Sequence, residues 1–247
     1  MRNLSLALAV SSLALATAVS QAANVQVSMT VDNSYALYYG TQTSATTFVG
    51  SDNDWTTTEV YNFNLPNNNY IYIVTQSDLS VAQGLLGQFE NLDTAYKFYS
   101  NDPQWQVMAT GLGNTNAPYA GTAADLALLS QEIVDANGGG NASNGWVGTV
   151  AGPVNGGGPW GPRPSIDAAA KWVWHSANGD LDPTTPGFNH DEWLVFRIQV
   201  GATPVPEPGT LALVGLMLVG LGVARRRVDG KHDRRALDLH GRAMTGQ

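Results

Sequence analysis

The stretch Val25–Val31, V-Q-V-S-M-T-V, alternates apolar and polar residues at every position. Successive side chains of a β-strand point to opposite faces, so a period of two predicts a strand with one buried face. The next run, Tyr35–Tyr39, alternates in the same way. These two runs indicate a chain built from β-strands that cover a common core.

The same period recurs along the rest of the body. Tyr61–Leu65 and Trp193–Val200 alternate, and Tyr70–Thr75 is rich in β-branched and aromatic residues. Pro66, followed by three asparagines, predicts a turn that tolerates positive φ. Short alternating runs separated by turn residues are typical of an antiparallel β-sandwich. We therefore predict an all-β sandwich domain over residues 23–200.

One short helix is expected inside this domain. Thr122 can cap its N-terminus, Asp125 is favourable in its first turn, and Gly138 can end it. An apolar stripe at helical spacing lies between these residues: Leu126, Leu129 and Ile133. The stripe predicts a helix that packs one face on the sandwich.

A loop rich in glycine, proline and asparagine follows over Gly138–Pro164. Loops of this length in a compact domain are either functional or mobile. Sugars stack on exposed aromatic faces, so Trp160, with Tyr119 or Trp146, is a candidate glycan-stacking platform. The alternative is that these rings pack over one end of the sandwich. The other tryptophans lie in or beside strands and are expected in the core or at its margin: Trp55, Trp105, Trp172, Trp174 and Trp193.

Charge is distributed unevenly along the 247 residues. The formal net charge is −8, but residues 23–204 hold sixteen acidic and four basic side chains, a difference of −12. An acidic body argues against nucleic acid as a partner, because phosphates need a basic surface. The chain has no cysteine, so no disulfide can stabilise the body and its core must suffice.

Catalytic motifs do not occur in the sequence. There is no Gly-x-Ser-x-Gly elbow, no His-Glu-x-x-His and no phosphate-binding loop. Among the four histidines, only His190 lies beside carboxylates, in His190-Asp191-Glu192, where a polar turn is the simpler interpretation. Two acidic residues could form a glycosidase pair, but nothing in the sequence selects a pair. The sequence therefore predicts a protein that is not an enzyme.

Oxygen ligands cluster in the turn Asp52-Asn53-Asp54, and Asp32-Asn33 lies nearby in the order of strands. Calcium binds about six to eight such oxygens. A solvated turn rich in Asp and Asn is the simpler interpretation. No cofactor is predicted, with a structural calcium ion at this turn as the alternative.

Residues 1–22 have the three parts of a secretory signal peptide. Arg2 provides a basic start, Leu4–Val19 is an apolar helix-forming run, and Ser20-Gln21-Ala22 supplies the small residues that a signal peptidase reads. An N-terminal membrane anchor is the alternative. The N-terminus thus predicts export through the inner membrane.

The C-terminal region combines three features in a fixed order. A proline-rich linker, residues 201–209, contains four candidate sorting residues: Val205, Pro206, Glu207 and Pro208. An uncharged run, Thr210–Ala224, follows and spans about 22 Å as a helix, slightly less than a bilayer core of about 30 Å. Three arginines then form a basic stop: Arg225, Arg226 and Arg227. We predict a transmembrane helix with its basic stop over residues 210–227 and a disordered tail over residues 228–247.

This order resembles the PEP-CTERM sorting tail of bacterial exported proteins. The resemblance covers residues 205–227, and the extension of twenty residues after the arginines departs from the family pattern. It implies an exosortase-type membrane protease as a partner and a precursor anchored in the inner membrane. It also implies later release or transfer to the cell surface or the exopolysaccharide matrix.

A second resemblance lies in the body. Thr30–Tyr38, Gly84-Leu85-Leu86-Gly87, Trp172-Val173-Trp174 and Val195-Phe196-Arg197 follow in this order. Their order is similar to that in the galactose-binding-like β-jelly roll of accessory domains in bacterial glycoside hydrolases. The resemblance implies a jelly roll that binds carbohydrate, with the helix and the glycine-rich loop as an insertion. The alternatives are a structural matrix protein without a ligand and a glycan-active enzyme.

Replacing Pro206, Glu207 and Pro208 with alanine should block processing, because the extended joint would be lost while the apolar run remained. We expect a full-length form that stays in the membrane fraction of the producing cell, detected by immunoblotting. Trimming of this variant to the wild-type size would contradict the sorting interpretation.

Overall fold

The computed structural model describes residues 22–77, 82–113, 115, 117–176, 184 and 192–200. All of these belong to one compact unit within residues 1–202. The predicted signal helix, apart from Ala22, the linker, the transmembrane helix and the tail lie outside the described residues. Within the described ranges, no helix combines the length and the apolar character that a membrane crossing requires.

The described body consists of antiparallel β-strands and one α-helix. In chain order the elements are β1 Ala23–Asp32, β2 Ser34–Thr41, β3 Ser44–Asp52, β4 Glu59–Leu65, β5 Tyr70–Gln76, β6 Gly84–Asn91, β7 Tyr96–Tyr99, β8 Gln106–Gly113, α1 Ala123–Gly138, β9 Val147–Gly148, β10 Val150–Val154, β11 Lys171–Trp174 and β12 Glu192–Gln199. The first sheet has the order β10-β11-β6-β1-β4, and β7 also pairs with β6; the second has the order β3-β2-β5-β12-β8-β9. The prediction of an all-β fold with one short helix is confirmed.

An inner core lies between the two sheets. The apolar positions of β1 point into it, and its valines and methionine are at most 1% exposed. Leu194, Phe196 and Ile198 of β12 reach the same core from the second sheet. The period of two in the sequence therefore reflects side chains that point alternately into this core and to the outer face of their sheet.

Helix α1 covers the outer face of the second sheet. Leu129, Ile133 and Ala136 pack there with Tyr38, Val74, Trp193 and Val195 in an outer core. The helix begins at the predicted cap Thr122, whose Oγ1 accepts from the Asp125 backbone N–H. Asp125 Oδ2 accepts from the Thr122 backbone N–H in return, which completes a capping box. The helix ends at Gly138, as predicted, and Gly139 follows with φ 74° as its cap.

The loop between β10 and β11 covers part of the outer face of the first sheet. Trp160, Ile166 and Ala170 pack there against Leu86 and Trp172. Apolar layers thus lie between the sheets and on both outer faces. The predicted core tryptophans Trp105, Trp172, Trp174 and Trp193 are at most 1% exposed, and Trp55 is half-buried.

Phe196→Ala should lower the free energy of unfolding by about 3–5 kcal/mol, because Phe196 is fully buried in the inner core beside Trp174. Urea unfolding of the full-length chain in detergent, followed by tryptophan fluorescence, measures the change. Val60→Ala is the control, since Val60 is 47% exposed on β4 and should change stability by no more than about 0.5 kcal/mol. A loss below about 1 kcal/mol for Phe196→Ala would contradict the assignment of this face to the core.

Candidate functional site

The three aromatic residues proposed as a platform lie on two different faces. Trp160 packs on the outer face of the first sheet, whereas Tyr119 and Trp146 belong to the outer core of the second sheet. The inner core separates these faces. The prediction that Trp160 combines with Tyr119 or Trp146 is therefore wrong.

Trp160 is a packing residue. It is 5% exposed and stacks on Trp172, with ring centroids 4.0 Å apart and planes inclined by 20°. Its Nε1 donates to Asp32 Oδ2 over 2.6 Å, and its carbonyl oxygen accepts from Arg163. A Cβ atom at Gly84 would lie 2.8 Å from the Trp172 ring, so glycine at this position permits the stack. With both its ring and its N–H engaged, Trp160 offers no open face to a sugar.

Tyr119 is also held by packing. Its ring is half-buried in the outer core, and burial raises the pKa of its hydroxyl, with a smaller contribution from Tyr38. Tyr38 in turn donates to the carbonyl oxygen of Pro118 over 2.6 Å. Tyr119 does not line the pocket that contains Trp146.

Trp146 lines an open pocket of about 640 Å³ at the C-terminal end of α1. Four parts of the chain meet around this pocket: the β2–β3 turn, the end of α1, the loop before β9, and β12. Its lining includes one apolar side chain, Ala136, and six polar, charged or aromatic residues: Gln42, Thr43, Asn137, Asn144, Trp146 and Arg197. Of the three residues in the predicted platform, Trp146 lines this pocket, and Trp160 and Tyr119 do not.

Asn137 holds the pocket together through its side-chain amide. Its Oδ1 accepts from Trp146 Nε1 over 3.0 Å and from Arg197 Nη1 over 2.9 Å. Its Nδ2 donates to the carbonyl oxygen of Gln42 over 2.9 Å. One amide therefore joins the helix, the loop, the strand and the β2–β3 turn, and fixes the orientation of the indole.

Arg197 lines the pocket and is only 6% exposed. Its guanidinium carbon lies 3.8 Å from the centroid of Trp146 and 5.2 Å from that of Tyr70. Its Nε donates to Gln106 Oε1 over 2.9 Å. Burial lowers the pKa of Arg197 below its usual value, an effect that the neighbouring Tyr72 and Tyr70 oppose. The cation is held by aromatic faces and amide oxygens.

No carboxylate forms an ion pair with Arg197 within the described ranges, where Lys97 and Glu90 make such a pair on the first sheet. The last turn of α1 contains no basic residue of its own. Arg197, bonded to Asn137 in that turn, supplies the positive charge that a helix C-terminus favours. The partial negative charge of the helix end and the π faces offset part of the cost of burying this cation.

The lining offers groups that can bind a polar ligand. It combines one indole, three side-chain amides, one hydroxyl and one cation, and it contains no carboxylate or histidine. Amides and hydroxyls both donate and accept hydrogen bonds, as sugar hydroxyls do. One face of Trp146 is occupied by Arg197, so a ligand would use the remaining exposed part of the ring.

The carboxylates proposed for calcium are engaged within the protein. Asp52 Oδ2 accepts from the Asp54 N–H, and Asp54 Oδ1 accepts from Thr56, which lowers the pKa of Asp54. Asp32 accepts from Trp160. The described part of the chain contains no cluster of three or more acidic, histidine or cysteine side chains that could hold a metal. The calcium alternative stays a prediction. His190 and Asp191 lie outside the described residues.

Sequence reasoning missed Asn137 and Arg197 as site residues. A signal for Arg197 is present, since it is a charged residue within the apolar run W-L-V-F-R-I of β12. Asn137 has no comparable signal, because asparagine is common near helix ends. No protein-family model, curated protein or solved structure matches this chain.

Asn137→Ala should lower the free energy of unfolding by about 1–3 kcal/mol, because the charged Arg197 would lose a part-buried acceptor and Trp146 an exposed one. Asn64→Ala is the matched control, since Asn64 is exposed on β4 and should change stability by less than about 0.5 kcal/mol. Urea unfolding of both full-length variants measures the difference. Equal stability of the two variants would contradict the role assigned to Asn137.

Proposed function

We propose that this is an exported protein of the cell surface or exopolysaccharide matrix, and that its β-sandwich binds carbohydrate in the pocket beside Trp146. The signal peptide pattern of residues 1–22 and the PEP-CTERM-like order of residues 205–227 support export and processing by an exosortase-type protease. Before processing, the precursor is anchored in the inner membrane. These parts of the proposal rest on the sequence.

Within the all-β class, we propose that the fold is a galactose-binding-like jelly roll. Two antiparallel sheets of six strands each support it, together with the order of the sequence motifs. Helix α1 and the loop after it lie between β8 and β11, as an insertion would. The proposed pocket is built largely by this insertion, so the ligand need not match that of other such domains.

The observation that carries the binding proposal is the pocket itself. An indole held in a fixed orientation lies beside uncharged hydrogen-bonding groups, in a cavity of about 640 Å³. Cavities of about 300–1,000 Å³ are typical of small-molecule sites. The arrangement matches the two chemical parts of a sugar, which has apolar C–H faces and a rim of hydroxyls. Glycoside hydrolases usually work with a pair of carboxylates, and the lining of this pocket contains no carboxylate.

Trp146→Ala should weaken binding of exopolysaccharide from the producing cell about tenfold, because the aromatic contact is lost. Isothermal titration of the full-length protein, in a detergent without a sugar head group, measures the affinity. Tyr96→Ala is the control, since Tyr96 is an aromatic residue 49% exposed on β7 of the first sheet.

The proposal requires that only the Trp146 variant lose affinity. Unchanged affinity for Trp146→Ala, or an equal loss for Tyr96→Ala, would contradict it. Absence of binding by the wild-type protein would favour a matrix protein without a ligand.

A further inference from the structure

We infer that the ligand of this pocket is an acidic sugar whose carboxylate binds beside Arg197. This inference rests on the proposed carbohydrate binding and adds the chemical class of the sugar. It begins from the charge of the pocket. Of the side chains that line it, only Arg197 is charged, and no described carboxylate neutralises it.

A cation is costly to bury, and Arg197 is 6% exposed. The π faces of Trp146 and Tyr70 and the amide oxygens of Gln106 and Asn137 offset part of this cost. All four partners carry only partial charge. A ligand carboxylate would supply the full negative charge that the protein itself does not place there.

The geometry of the guanidinium fits this class of ligand. Arginine presents five N–H groups in a planar fork that matches a carboxylate. The bonds from Nε to Gln106 and from Nη1 to Asn137 use two of them and hold the plane fixed. A group held in this way loses little freedom when a ligand docks.

The surroundings favour a single negative charge over two. Helix α1 ends at this pocket, and the C-terminal end of a helix carries partial negative charge. One cation beside such an end can balance a carboxylate better than a phosphate dianion. Residues 23–204 have an excess of twelve acidic side chains, so attraction for a carboxylate would be confined to the surroundings of Arg197.

The remaining lining completes the recognition of a sugar. Trp146 borders the pocket beside Arg197, Asn144 of the same loop also lines it, and Gln42 and Thr43 line it from the β2–β3 turn. A uronate residue presents a carboxylate at one end of its ring and hydroxyls around the rest. Its carboxylate would lie towards Arg197 and its hydroxyls towards the amides.

The test compares each acid with its own methyl ester, which keeps the sugar and removes the charge. The probes are short oligogalacturonates and oligomannuronates, titrated into the full-length wild-type protein at two salt concentrations. We expect the free acid of at least one probe to bind about tenfold or more tightly than its ester. The preference for the acid should shrink at high salt, because salt screens the attraction between the carboxylate and the Arg197 guanidinium.

Arg197→Met removes the charge and keeps an apolar stem over Trp146, so it should abolish the preference for the acid. Lys97→Met is the matched control, because it changes the net charge equally but lies on β7 of the first sheet, where Lys97 pairs with Glu90. This control should keep the preference. If Arg197→Met fails to fold, the comparison of acid and ester on the wild-type protein still shows whether the pocket prefers an acidic sugar.

The outcomes separate this inference from the proposal on which it rests. Equal binding of acid and ester, with both lost in Trp146→Ala, would overturn the acidic ligand and leave carbohydrate binding in place. A preference for the acid that survives in Arg197→Met would also overturn it. No binding of any probe, together with no binding of exopolysaccharide from the producing cell, would overturn both.

Discussion

The burial of both faces of the second sheet is the constraint on which the rest of the structure depends. The central strands β5 and β12 have one face in the inner core and the other in the outer core beneath α1. A sheet buried on both faces needs a cover, and α1 provides it. The capped helix ends where β12 carries its arginine, so the cover and the pocket arise from the same packing.

Arg197 shows how a stabilising arrangement also creates a site. Its position on β12 points it to the outer face, where an apolar residue would continue the core. Instead it stacks on Trp146 and bonds to Asn137, which ties the loop and the helix end to the sheet. The same contacts leave an open pocket with one positive charge beside a fixed indole. Stability and recognition therefore depend on the same few side chains.

The sequence predicted the fold class well because period two and capping are local signals. The strand runs, the turn after Pro66 and the box at Thr122 follow from residues close together in the chain. The site was predicted poorly because it depends on distant contacts. Trp160 and Trp146 occur in the same glycine-rich loop, yet they pack on different sheets. No local pattern shows that Arg197 meets Asn137, sixty positions earlier in the chain.

The most direct measurement follows the indole N–H signals of the seven tryptophans in the nuclear magnetic resonance spectrum of the full-length protein. Acidic oligosaccharide is added while these signals and that of Arg197 Nε are recorded. We expect the signals of Trp146 and Arg197 to shift and that of Trp160 to stay unchanged, because Trp160 is stacked on Trp172 and bonded to Asp32. Shifts of Trp160 without any at Trp146 would contradict binding at this pocket.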